Sequence, residues 1–261
     1  DEFTTDVNIK TDDGALLTLQ TSDTTITDGD VLGALQFQAP NEGDGTDGDA
    51  QIVAASIIAE ADDEFDDDST ATDLVFKLAT TVASDNAAVE KMRLTHEGDL
   101  EVKATDGAIL KLQTTSTDVT DGNVLGAVEF NAPLEAGGTD AITTAASIVA
   151  EADDTFAADN NETDLVFKLG VSEAATEKMR LAHEGVLSIP ADGSTTTNGI
   201  HIGAGADLKI YHTGSHSVIN DTGTGNLQLA GSQVDIMGGT DLGETMATFV
   251  DDGAVTLYYD N

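Results

Sequence analysis

The sequence predicts an all-β protein: elongated tandem β modules and a short-strand C-terminal region, associating with identical chains. Three observations carry that expectation. A unit of about 90 residues is written twice, apolar residues alternate at period two, and the apolar content is too small for a self-sufficient core.

The repeat is explicit. Val31-Leu32-Gly33-Ala34 returns as Val124-Leu125-Gly126-Ala127, and Ala59-Glu60-Ala61-Asp62-Asp63 as Ala150-Glu151-Ala152-Asp153-Asp154. Asp73-Leu74-Val75-Phe76-Lys77-Leu78 returns as Asp164-Leu165-Val166-Phe167-Lys168-Leu169. Glu90-Lys91-Met92-Arg93-Leu94 returns as Glu177-Lys178-Met179-Arg180-Leu181, and His96 and His183 each precede Glu-Gly. The expected division is a first module with an N-terminal extension over 1–102, a second over 103–189, and a distinct region over 190–261. Active sites are usually single, whereas arrays of modules build length, so duplication favours structure or adhesion over catalysis.

Within a module, Leu74, Phe76 and Leu78 alternate with Val75 and Lys77, the pattern of a half-buried strand. Leu17-Thr18-Leu19-Gln20, Leu35-Gln36-Phe37-Gln38, Leu110-Lys111-Leu112-Gln113 and Val128-Glu129-Phe130-Asn131 read the same way. The dipeptides Asp13-Gly14, Asp28-Gly29, Asp106-Gly107 and Asp121-Gly122 mark tight turns between them. Residues 51–60 and 87–94 fit either a helix or a strand by period; their β surroundings favour strands. Residues 41–49 and 62–70 are acidic loops whose counterparts near 134–140 and 153–163 differ in length, as surface excursions do.

Past Pro190 the texture changes to a polar linker over 192–199 and then closely spaced short strands. These are expected at 200–202, 207–211, 218–219, 226–229, 234–236 and 254–259.

Leu, Ile, Val and Phe make up 62 of the 261 residues, only a little above the level of ~20% at which disorder becomes the better guess. A 90-residue module so poor in large apolar side chains, without Trp, needs burial from elsewhere, and identical chains are the usual source. The formal charge of −39, from 49 acidic and 10 basic residues, repels nucleic acid and anionic membranes. Salt relieves the self-repulsion, which suits a saline extracellular medium. The basic residues keep register between modules: Lys10, Lys77, Lys91 and Arg93 match Lys103, Lys168, Lys178 and Arg180. They are expected to partner specific carboxylates.

The chain has no cysteine, which removes disulfides, thiolate metal sites and cysteine nucleophiles. No apolar run is long enough to span a membrane as a helix. There is no initiator Met and no signal peptide, so a processed chain or a segment of a longer one is expected.

The run Gly205-Ala-Asp-Leu-Lys-Ile-Tyr-His-Thr-Gly-Ser-His-Ser-Val-Ile-Asn-Asp-Thr-Gly-Thr-Gly-Asn-Leu-Gln-Leu229 resembles a recurrent segment of bacteriophage tail-fibre proteins, those of marine phages above all. The closing Asp252-Gly-Ala-Val-Thr-Leu-Tyr-Tyr-Asp-Asn261 looks like a second such segment, and the repeats are similar to stem modules upstream in such fibres. The resemblance implies a β-rich, elongated, intertwined homotrimeric fibre on the virion, exposed to the extracellular medium. It would meet other tail or baseplate proteins and a host-surface glycan or protein receptor.

Candidate chemistry is sparse. His212 and His216 lie four apart, a metal-ligand spacing on a helix, but Gly214-Ser215 between them argues for a turn. His96 and His183 read as turn or rim residues. Residues 43–49 and 62–68 cluster carboxylates without the twelve-residue calcium-loop pattern. Aromatics are 4%, too few for the stacking platforms of sugar-processing sites, and no nucleophile elbow or phosphate loop occurs. The expectation is therefore a non-enzymatic structural virion protein, a tail-fibre or appendage stem contributing to host attachment. It carries no catalytic, cofactor-binding or metal residue, no cofactor, and no nucleic-acid or membrane partner. A secreted or cell-surface adhesive filament subunit and a tailspike-type polysaccharide depolymerase are the rival readings.

Overall fold

The computed structural model describes residues 9–10, 14–38, 53–79, 88–131, 143–171, 174–194 and 197–259, and all of its regular structure is antiparallel β. Strands β1 (Val31–Gln38), β2 (Val53–Ala61), β3 (Thr72–Leu78), β4 (Val89–Leu94) and β5 (Leu100–Val102) form a meander in sequence order. The second module repeats it: β6 (Val124–Asn131), β7 (Thr144–Ala152), β8 (Thr163–Leu169), β9 (Thr176–Leu181) and β10 (Leu187–Ser188). Both segments ambiguous by period are strands, because their small and β-branched residues fit between neighbours already in the sheet. Two three-stranded sheets follow. One is β11 (Ile200–Ile202), β12 (Leu208–His212) and β13 (Ser217–Asp221). The other is β14 (Gln233–Gly238), β15 (Glu244–Val250) and β16 (Val255–Leu257). The chain divides into two compact units, Asp1–Lys111 and Leu112–Asn261.

Register places side chains on two unlike faces of each meander. In the first, Ser56, Ile58 and Glu60 of β2 stand opposite Lys77, Val75 and Asp73 of β3, and Val75 opposite Arg93 of β4. This face is closed: Val75 is fully buried, and Ile58, Ser56 and Asp73 are buried beside it. The opposite face carries Leu35 and Phe37, Ile57, Leu74, Phe76 and Leu78, Met92 and Leu94, and Leu100 and Val102, none of them charged. Phe37, Leu78 and Leu100 are half exposed or more. The second meander repeats the arrangement, with Val166 fully buried on one face and Phe130, Leu169 and Leu187 exposed on the other.

Three expected strands are absent. Residues 17–20, 110–113 and 226–229 pair with nothing among the described residues, and a strand needs a ladder partner to hold its backbone groups. Strands β5, β10 and β15 lay outside the expected set: β5 and β10 are too short to show a period, and the residues of β15 do not alternate. β10 is one residue shorter than β5 for a local reason. Lys103 N–H donates to Lys91 C=O at 2.8 Å, and its counterpart Pro190 has no N–H to donate.

Candidate functional site

The repeat's charged residues converge on the closed face of each meander. Glu60 and Asp73 are direct partners across β2 and β3, and Arg93 reaches both from β4. Its Nη1 donates to Asp73 Oδ2 at 2.5 Å, its Nη2 to Glu60 Oε1 at 2.7 Å, and its Nε and Nη2 to the two oxygens of Glu90 at 3.1 and 3.0 Å. Asp73 Oδ1 accepts from the His96 N–H at 2.9 Å. Lys77 flanks Glu60 at 3.6 Å, and Lys103 flanks Glu90 at 2.6 Å.

The second module rebuilds the network. Arg180 donates to Asp164 at 2.6 Å, to Glu151 at 2.9 Å and to Glu177 at 2.8 and 3.1 Å, while His183 N–H donates to Asp164 at 3.0 Å. Lys168 sits 3.4 Å from Glu151. The expected pairing of module cations with particular carboxylates thus holds at Lys77, Arg93 and Lys103, and at Lys168 and Arg180.

Charge and burial set the acidities. Burial opposes ionisation at Asp73, but the Arg93 guanidinium and the His96 N–H outweigh it and hold the carboxyl below its ordinary value. Asp164 is held low in the same way by Arg180 and His183. Glu90, bonded to Arg93 and then Lys103, is pulled down to about 2. Glu177, without a lysine at the Lys103 position, is also lowered, chiefly by Arg180.

His96 and His183 are indeed turn residues, on the β4–β5 and β9–β10 hairpins, but their rings point back at carboxylates. His96 Nδ1 lies 3.0 Å from Asp62 and 3.4 Å from Asp73. His183 Nδ1 lies 3.1 Å from Asp153 and 3.6 Å from Asp164, with Glu184 and Glu162 at 3.3 and 3.6 Å from Nε2. Burial alone would lower the His183 pKa, but Glu184, Glu162, Asp153 and Asp164 together raise it. Glu162 is the difference between modules: Asp153 N–H donates to Glu162 C=O where Asp62 N–H donates to Ala71 C=O.

Each Asp-Asp-His set brings its ligating atoms within 4.8 Å of one another, a spacing that chemically admits a divalent cation. The central carboxylate is committed elsewhere. Asp73 gives one oxygen to Arg93 and the other to the His96 N–H, and Asp164 does likewise. The cleft beside His96, about 540 Å³, is open and lined by Asp62, Asp63, Asp68, Thr70 and Thr72. It lacks the apolar walls of a small-molecule site. In the acidic loop beneath it, Asp66 Oδ1 accepts from the N–H groups of Asp68 and Ser69 at 2.9 and 2.8 Å, so this carboxylate shapes the turn. The acidic run 43–49 lies outside the described residues.

His212 ends β12 with its Nδ1 3.3 Å from Ser217 Oγ, and His216 donates its backbone N–H to Thr213 Oγ1 in the turn. The carboxylate–arginine network was not assigned from sequence as a unit, although every member except Lys103 recurs at its matching position in the repeat.

No family model matches the chain, and no curated protein does. Among solved structures it is similar to the carboxy-terminal domain of the bacteriophage T5 L-shaped tail fibre, at 13% identity and a TM-score of 0.31, over 78% of this chain and 95% of that one. It is also similar to that domain with its intra-molecular chaperone domain, at 13% identity and a TM-score of 0.31, over 91% of this chain and 72% of that one.

Proposed function

We propose that this chain is a structural, non-enzymatic virion protein, a homotrimeric stem of a tail fibre or appendage that contributes to host attachment. The observation that carries the reading is the uncharged outer face of each five-stranded meander. Phe37, Leu78 and Leu100 are 51%, 51% and 59% exposed, and Phe130, Leu169 and Leu187 are 55%, 52% and 57% exposed. Contiguous apolar surface of this kind marks an interaction site. A chain of net charge −39 can approach its own kind only where it carries no charge.

The tail-fibre-like segments at 205–229 and 252–261 point the assembly to a phage appendage, and tandem modules give it reach. The charged networks serve the fold: each arginine binds two facing strands and the next into one rigid sheet. Attachment falls to exposed loops or an adjoining tip, facing the extracellular medium.

Light scattering on the purified chain tests the assembly. The expected mass is three times the 26.9 kDa of one chain. A well-folded species at 26.9 kDa overturns the reading.

A further inference from the structure

Two segments of the chain have the sequence of strands, yet no ladder partner among the described residues. Residues 15–20, Ala-Leu-Leu-Thr-Leu-Gln, and 108–113, Ala-Ile-Leu-Lys-Leu-Gln, occupy the same place in the two modules. Among the described residues no main-chain N–H or C=O of either segment is hydrogen-bonded within the chain. Their apolar side chains face outward: Leu16 is 81% and Leu17 65% exposed, Ile109 80% and Leu110 69%.

The segments are nevertheless seated. Leu19 lies against Gly33 of β1 so closely that a Cβ there would stand 2.8 Å from the Leu19 Cβ and 3.1 Å from its carbonyl oxygen. Leu112 repeats this at Gly126 of β6, at 2.8 and 3.3 Å. Glycine at both places lets two backbones approach, which a side chain would prevent. The segments are held beside their sheets with an unused row of donors and acceptors, and the sheets end in open edges at β1 and β5, β6 and β10.

We infer that residues 15–20 and 108–113 are strands completed between copies: each pairs its backbone with an open sheet edge of a neighbouring copy of this chain. This deepens the assembly reading above and rests on it. The partner must offer an edge beside an uncharged face, and must offer one to each of the two segments. A second copy of this chain has both by construction. Pairing of this kind gives affinity through main-chain bonds while alternate side chains fill the neighbour's apolar surface. Residues 15–20 span six positions and β1 eight, so the length of an edge suffices.

Hydrogen exchange read by mass spectrometry on the full chain, with light scattering on the same sample, tests it. Amides of 15–20 and 108–113 are expected to exchange about a hundredfold more slowly than unstructured peptide. Unprotected segments in a sample that scatters as a trimer overturn the inference and leave the trimer standing. A monomer overturns the trimer, and it overturns the inference whether or not the segments are protected, since protection would then arise within one chain.

Discussion

Glu60 and Asp73 face each other directly across β2 and β3, two carboxylates at one register position, and Arg93 donates to both from the next strand. Like charges directly opposed in a sheet repel, so the pairing stands only with the guanidinium between them. Arg93→Met would leave Asp73, whose side chain is 2% exposed, charged without a cation. Removing one partner of a buried pair costs about 3–5 kcal/mol. We expect that loss in denaturant unfolding, a similar one for Arg180→Met, and partial recovery in Arg93→Met/Asp73→Asn, where the buried charge is gone and an acceptor for the His96 N–H remains.

The same network fixes the response to acid. The carboxyl pKa values of Asp73, Glu90, Asp164 and Glu177 are lower in the folded state than their ordinary 3.8 and 4.5. Groups depressed on folding contribute stability above their unfolded pKa and lose it as pH falls through the folded value. Stability should therefore hold above about pH 5 and fall steadily toward pH 2, where Glu90 titrates. A chain equally stable at pH 6 and pH 2.5 by thermal melting would contradict the network. Because Lys103 has its counterpart in Pro190, Lys103→Ala should shift the acid limb through Glu90 of the first module and leave Glu177 of the second as it is.

His183 acts with the opposite sign. Its pKa is raised on folding, so its contribution is complete below the unfolded value of 6.5 and disappears as pH rises through the folded one. Glu162 supplies one of the four carboxylates around the ring, at the position where the first module has Ala71. NMR titration should place His183 above 6.5, and Glu162→Ala should move it downward.

How much of this was legible in the sequence depends on where each residue's partner lies. Leu74 to Leu78 announced β3 because both of its neighbours are strands of the same module, and alternation then reports burial directly. Residues 17–20 and 110–113 carry the same alternation, but among the described residues no strand of their own chain takes up their backbone. The pattern records a partner that one chain does not contain. Arg93, Asp73 and Glu60 were visible as recurring residues but not as a site, since 33 positions separate Arg93 from Glu60 and only the meander's register joins them. His96 read as a turn residue, which it is. That its ring faces Asp62 follows from a hairpin folding back over β3, which no local spacing encodes.

Gly33 and Gly126 give a direct handle on the seated segments. A Cβ at either meets the preceding segment's leucine at 2.8 Å, closer than real Cβ contacts allow, and part of what it meets is backbone. Gly33→Ala and Gly126→Ala should each cost about 1–3 kcal/mol by overpacking. The damage should be local: loss of exchange protection in residues 15–20 for Gly33→Ala and in 108–113 for Gly126→Ala, with β3 and β8 unchanged.

The apolar face distinguishes a solitary chain from an assembled one most sharply. Phe37 and Phe130 are about half exposed on their own modules. In a monomer, Phe37→Asp and Phe130→Asp would be surface substitutions, worth within about 0.5 kcal/mol. In a trimer each ring hides roughly 100 Å² more, about 2–3 kcal/mol of burial per copy, and a carboxylate would stand in its place without a partner. The double variant should therefore scatter at 26.9 kDa while keeping its β circular-dichroism signal, because the Arg93 and Arg180 networks lie on the other face of each sheet. A double variant that kept the parent mass would mean that this face is not where the copies meet.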